Sequence, residues 1–139
     1  MGLKNKIITK GFVVAGLMNL SVLIFSRFFT NSTIPETDPV VMSNFGLLMI
    51  AVWGLAYISV AKHYNSVTWL VAVFALVKLI YGCIWTQWIL NNDIADVYKK
   101  DTMAGMFYSV YGINDWLFFV FFLVVFITLL TTKKKAIGV

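Results

Sequence analysis

A lysine in the middle of a long apolar run is the residue of this chain best placed to do chemistry. Lys78 stands about 11 residues from one end of the run 67–90 and about 12 from the other, roughly 16 to 18 Å from either end at helical rise. Its stem cannot carry the ammonium that far to water, and a lysine at the centre of a bilayer is disfavoured by about 2.5–3.5 kcal/mol even on a lenient insertion scale. Such a residue must face the interior of a helix bundle, be partnered, or sit neutral, and any of these makes it a site candidate.

Only one carboxylate, Asp115, can lie within an apolar run beside it. With a last helix that starts near Phe107, Asp115 is about eight residues below the outer surface, some 12 Å deep and within reach of Lys78. The alternative for Asp115, which follows Gly112 and Asn114, is a helix cap at the interface. In the same depth reckoning Asn19 and Trp53 fall about 15 Å from the outer side. Tyr57, one turn from Trp53, and Tyr81, three residues after Lys78, can line the same cavity. Taken singly, Asn19 reads as helix-packing glue and Trp53 as core.

The elements that must hold these residues follow from composition. The chain has 139 residues, 60% hydrophobic and 12% charged, with a mean hydropathy of +0.86, too apolar for an ordinary soluble domain. The fold class expected is an all-α integral membrane protein, one domain over 1–139, with four transmembrane helices at about 7–29, 43–61, 67–90 and 107–131. The prolines Pro35 and Pro39 put the segment 30–41 in a loop. Ser43 or Asn44 can cap the second span, whose Gly46, Ala51, Gly54, Ala56 and Ser59 suit close helix packing. A tight turn at 62–66 makes spans two and three an antiparallel hairpin. The stretch 91–106 permits a short helix on the outer membrane surface.

Charge sets the orientation. The net charge is +5, yet Lys4, Lys6, Lys10, Lys62, Lys133, Lys134 and Lys135 all fall on one side of a four-span chain, while Glu36, Asp38, Asp93, Asp96 and Asp101 fall on the other. Both termini are therefore expected in the cytoplasm. The lysine-led first run, with Arg27, Phe28 and Phe29 where a cleavage site would stand, reads as an uncleaved anchor, and Arg27 reads as snorkelling. The localisation expected is multi-pass in a membrane, the bacterial inner (cytoplasmic) membrane. No basic face is gathered for nucleic acid. Asn31-Ser32-Thr33 matches a glycosylation sequon, a motif common by chance.

One cysteine, Cys83, and one histidine, His63, leave no disulfide framework and no metal site, and no cofactor is expected. No Walker loop, dinucleotide fingerprint, zincin helix or nucleophile elbow is present. The size and span count resemble several small membrane families, but the first-span acid of the small multidrug exporters is Asn19 here, and the chain matches none of these families by its defining residues.

The function expected is binding or transport of a small amphipathic or anionic molecule in an intrabundle cavity around Lys78, with aromatics holding the apolar body. If an ion or proton moves, the Lys78–Asp115 pair is the switch. The alternative is an accessory or structural subunit that docks its Phe-rich fourth helix (Phe118, Phe119, Phe121, Phe122, Phe126) on a larger membrane complex. An intramembrane enzyme with Lys78 as nucleophile or base ranks below both, for want of supporting groups. Partners expected are membrane lipid, a small amphipathic ligand, and a homo-oligomer or a larger complex.

Overall fold

Short polar side chains cut this apolar sequence into helices. In the computed structural model, which describes residues 2–138, 83% of the chain is helical and no strand occurs among the described residues. The elements are α1 (Leu3–Leu20), α2 (Val22–Phe25), α3 (Thr33–Thr37), α4 (Asn44–Val60), a 3-10 turn (Tyr64–Ser66), α5 (Thr68–Asn91), α6 (Ile94–Lys100) and α7 (Thr102–Ile137). Ser43 Oγ accepts from the Gly46 N–H at 3.1 Å and opens α4. Asp93 Oδ1 does the same for α6 at 2.9 Å, and Asp101 Oδ1 accepts from the Ala104 N–H at 2.8 Å to open α7.

Three helical segments are long and apolar enough to cross a membrane: Lys4–Phe25, Thr68–Asn91 and Thr102–Lys135. The fourth long apolar element, α4, has 17 residues and is shorter than the others.

Three boundaries differ from the sequence expectation, each for a local reason. The first run ends at Phe25, not Phe29. Ser21 Oγ turns back on the Met18 carbonyl at 2.5 Å, which bends a helix, and Arg27, Phe28 and Phe29 then take left-handed φ values of 48°, 52° and 68°. Such a run costs about 1–2 kcal/mol per residue. The last helix starts at Thr102, not Phe107, because the cap is Asp101. Pro35 sits inside helix α3. At the third position its missing N–H is one of those with no intrahelical partner, so the helix tolerates it.

One aromatic ring from each of four helices meets in the core. Phe12 of α1 lies 5.1 Å from Phe122 of α7 and 6.3 Å from Phe74 of α5. Tyr57 of α4 lies 4.8 Å from Phe74 and 5.0 Å from Phe122. Pairs of this kind contribute about 0.5–1.5 kcal/mol each beyond their area. Packing matters more here than apolar burial, since lipid is as apolar as the core.

Glycines set the closest seams. A Cβ on Gly54 would come within 2.7 Å of the Gly16 carbonyl oxygen, so α1 and α4 touch backbone to backbone. On the α5–α7 seam Trp85 lies over Gly112 and Trp116 over Gly82. Both indoles are tethered, Trp85 Nε1 donating to the Tyr108 carbonyl at 2.7 Å and Trp116 Nε1 to Thr86 Oγ1 at 3.0 Å.

The two ends of the helix assembly differ in chemistry. At one end Tyr64 Oη donates to Asn5 Oδ1 at 3.1 Å, which brings the α4–α5 turn to the start of α1. At the other end Asp101 gathers Arg27 at 2.9 Å and Asn31 Nδ2 at 2.9 Å, pinning the left-handed turn to the α6–α7 corner. Arg27 is thus an ion-pair partner with a side chain that stays about half exposed. Burial raises the Asp101 pKa, but the hydrogen bonds from Ala104, Asn31 and Arg27 outweigh it and hold the carboxyl below its ordinary value. Asn31 is 4% exposed and its amide is engaged with Asp101, so the sequon offers no accessible acceptor in this fold.

Candidate functional site

The lysine's position on α5 points it at the centre of the assembly, where it is 2% exposed. Its Nζ donates to Asp115 Oδ1 of α7 at 2.6 Å and to Asn19 Oδ1 of α1 at 2.7 Å. Asn19 is oriented by α4, because its Nδ2 donates to the Ile50 carbonyl at 3.0 Å. That bond fixes which face of the amide meets the ammonium. The ammonium also stands 5.5 Å from the Tyr57 ring centroid and 5.9 Å from that of Phe118, both within cation–π range. All four long helices therefore contribute to one polar cluster.

Asp115 is buried, at 6% exposure, and lies well inside α7 rather than at its start. The cap reading is overturned: Asp101 caps the helix, which leaves the Asp115 carboxylate free to meet Lys78. Two of the three ammonium protons are committed, one to Asn19 and one to Asp115. Asn114 Nδ2 approaches Asp115 Oδ1 only at 3.5 Å, a contact too long to count for much.

A cavity opens beside this cluster. Its lining includes Asn19, Tyr57, Lys78, Tyr81, Tyr111 and Asp115, and its volume of about 40 Å³ for the centres of water-sized molecules is room for about three waters. Three polar atoms on residues of this lining, Tyr57 Oη, Tyr111 Oη and Asn114 Oδ1, are buried without a hydrogen-bond partner among the described residues. A buried polar atom left without a partner costs about 1–3 kcal/mol. Three such atoms belong to residues that line one small cavity.

Of the six residues singled out from the sequence, five meet here. Trp53 does not. It packs edge-on against Phe74 with centroids 6.2 Å apart and belongs to the aromatic core. Tyr111 and Asn114 were missed. Tyr111 lies four residues before Asp115, hence on the same helix face, and that spacing was a usable signal once Asp115 was placed inside the helix. Asn114 gave none, because its neighbour relation to Asp115 fits a cap equally well.

The five phenylalanines of the last helix divide, with Phe119, Phe121 and Phe126 half-buried. Phe118 and Phe122 are buried at 5% and 0%, and the exposed stripe of α7 is aliphatic: Ile113, Leu117, Val120, Val124 and Ile127. Among the described residues no three His, Cys, Asp or Glu side chains come together to hold a metal ion. The arrangement can hydrogen-bond a small polar group and hold or hand on a proton between Lys78 and Asp115.

Comparison of the chain with protein-family models, with curated proteins and with solved structures gives no match.

Proposed function

We propose that the chain is a four-span membrane protein, both termini cytoplasmic, whose helix bundle binds a small amphipathic or anionic molecule in the Lys78 cavity and passes it into or across the membrane. The observation that carries this reading is the conjunction at one place of a buried Lys78–Asp115 pair, a small cavity, and three lining residues that each hold an unpartnered polar atom. A pair kept only for stability needs no cavity, and buried pairs are weak sources of stability in any case. Ionisable residues inside membranes mark functional paths more often than scaffolding.

The α4 helix supports the fourth span. Asn44–Val60 contains no charged residue, meets α1 backbone to backbone at Gly54, and at about 25 Å falls only a few ångströms short of the hydrocarbon layer, a mismatch that bilayers absorb. The exposed lysines at the terminal end support cytoplasmic termini.

Native mass spectrometry of the full chain, gently extracted from its membrane, tests the function. The expected result is a discrete small adduct that disappears in Lys78→Met and weakens in Tyr111→Phe, which removes one cavity hydroxyl and little else. An adduct unaffected by either variant, or no adduct at all, overturns the reading. A stoichiometric larger protein with no small adduct would favour an accessory subunit instead.

A further inference from the structure

The geometry points to a ligand class and a route: a single-chain amphiphile with a head no larger than a carboxyl or hydroxymethyl group, drawn sideways from the bilayer through the seam between α1 and α7. This deepens the cavity reading and rests on it.

The seams of the assembly are unequal. Glycine contacts close α1 on α4, and tethered indoles over Gly82 and Gly112 close α5 on α7. Among the described residues no hydrogen bond joins α1 directly to α7; the two meet through Lys78 of α5, which holds Asn19 and Asp115. On one side of the cavity stand Met18, Ser21 and Val22, and on the other Val110, Tyr111 and Asn114. Directly outside lies an apolar groove that shares Met18, Val110 and Asn114 with the cavity and continues over Val14, Ile113 and Leu117. These last three are 49%, 64% and 63% exposed, so the groove faces outward, where lipid chains would lie. From Val110 to Leu117 it runs about 10 Å along α7. Below it Phe121 sits against Gly11 and closes the seam again.

The water-facing end offers no comparable path. There Tyr108 Oη donates to the Ile34 carbonyl at 2.9 Å, Trp88 stacks on Tyr108 at 4.5 Å, and Asp101 ties Arg27 and Asn31. Opening that end breaks several hydrogen bonds and an ion pair. Opening the seam outside the Lys78 cluster breaks no hydrogen bond between α1 and α7 among the described residues and parts Met18 and Val22 from Val110, side chains that lipid solvates equally well.

The cavity sets the head. Room for about three waters takes about three heavy atoms, enough for a carboxyl or a hydroxymethyl and too few for a phosphodiester. Asn114 Oδ1 can only accept, so a head that carries a hydroxyl or an acid proton satisfies it. Tyr57 and Tyr111 hydroxyls then donate to, or accept from, the same head. The hydrocarbon chain follows over Val14, Ile113 and Leu117 into the bilayer.

The test uses the full chain in vesicles of phosphatidylcholine and phosphatidylglycerol, with three photoreactive diazirine probes: a C16 fatty acid, a C16 alcohol and a phosphatidylcholine. The acid, the alcohol or both should label residues 14–22 and 110–118, and excess unlabelled amphiphile should suppress that labelling. The phosphatidylcholine should not label them selectively. Val14→Trp and Ile113→Trp, which fill the groove at exposed positions, should cut seam labelling at least tenfold with unchanged thermal stability. Leu55→Trp, on an exposed face of α4, should leave it unchanged. Labelling spread evenly over every lipid-facing helix, or insensitive to the groove variants, overturns the inference. If native mass spectrometry shows an adduct lost in Lys78→Met while the seam stays unlabelled, the cavity reading stands and the lateral route and ligand class fall.

Discussion

Replacing Lys78 and Asp115 one at a time and then together separates a pair kept for stability from a pair kept for a ligand. Lys78→Met strips Asp115 of its 2.6 Å partner and Asn19 Oδ1 of its 2.7 Å donor, leaving Asp115 only the 3.5 Å contact from Asn114. Breaking a buried pair from one side costs about 3–5 kcal/mol. Asp115→Leu strands the ammonium in the same way, with Asn19 Oδ1 its only remaining close acceptor, and should cost about as much. The double variant Lys78→Met with Asp115→Leu removes both charges. One orphan, Asn19 Oδ1, remains at about 1–3 kcal/mol, against a gain of about 1–4 kcal/mol from replacing a buried pair with apolar side chains. The double variant should therefore lie between about 2 kcal/mol below the parent and about 3 above it, while each single variant lies several below it. Reversible unfolding of the full chain in mixed micelles measures all four corners of the cycle. Native mass spectrometry of the same samples reads the adduct, which should be missing from the stable double variant. A double variant as unstable as either single one would refute the reasoning, since the pair would then be a net stabiliser. So would a double variant that keeps the adduct.

Other consequences can be checked separately. Gly54→Ala places a methyl 2.7 Å from the Gly16 carbonyl, so it should destabilise the fold by about 1–3 kcal/mol, whereas Ala56→Gly, away from that crossing, should cost no more than about 1 kcal/mol in helix propensity; thermal melts in detergent decide. The Asp101 carboxyl is held below its ordinary pKa in the fold, so its contribution is fully present above the unfolded value of about 3.9 and is lost as pH falls through the lower folded value. The stability difference between the parent and Asp101→Asn should accordingly shrink on acidification below about pH 4, and a difference constant down to pH 2 would contradict the assignment. A fluorescent protein fused after Val139 should fluoresce, as cytoplasmic termini require; a dark fusion with intact expression would reverse the orientation.

How far the sequence discloses this arrangement depends on distance along the chain. Helix existence was legible from apolar runs, and Ser43 was legible as a cap because its signal is local. Lys78 was legible because a charge so far from either interface has few places to go. Asp115 was ambiguous for a physical reason: an acid after Gly112 and Asn114 is good cap chemistry, and only the rival cap at Asp101, fourteen positions earlier, frees it for the interior. Trp53 was misplaced because depth alone does not give azimuth. It shares a layer with the site but faces Phe74. The left-handed turn at 27–29 was illegible, since no glycine announces it and its support comes from Asp101, far along the chain. The inward face of Phe118 and Phe122 was likewise hidden, because a helix bulky on every side carries no amphipathic signal.

Charge bookkeeping gives a last prediction that divides the two ligand heads allowed by the cavity. Lys78 from α5 and Asp115 from α7 sum to zero. The other ionisable groups on the lining are the phenols Tyr57 on α4, Tyr81 on α5 and Tyr111 on α7, while α1 and α2 contribute none there. An incoming carboxylate would leave a net negative charge in a water-poor site, at the cost of an unpaired buried ion. A fatty acid must therefore arrive with a proton, either on its own carboxyl or on Asp115, whereas an alcohol need bring none. Titration calorimetry at pH 7.5 in two buffers of different ionisation enthalpy reads this directly, with protein-free vesicles subtracted. The expected uptake is about one proton per bound C16 acid and about none per C16 alcohol. In Asp115→Leu, where the lysine charge stands alone, the acid should bind as its anion and take up no proton. Acid binding without proton uptake in the parent would mean that the Lys78–Asp115 pair does not govern the charge of the guest, and coupling of any flux to protons would have to be abandoned with it.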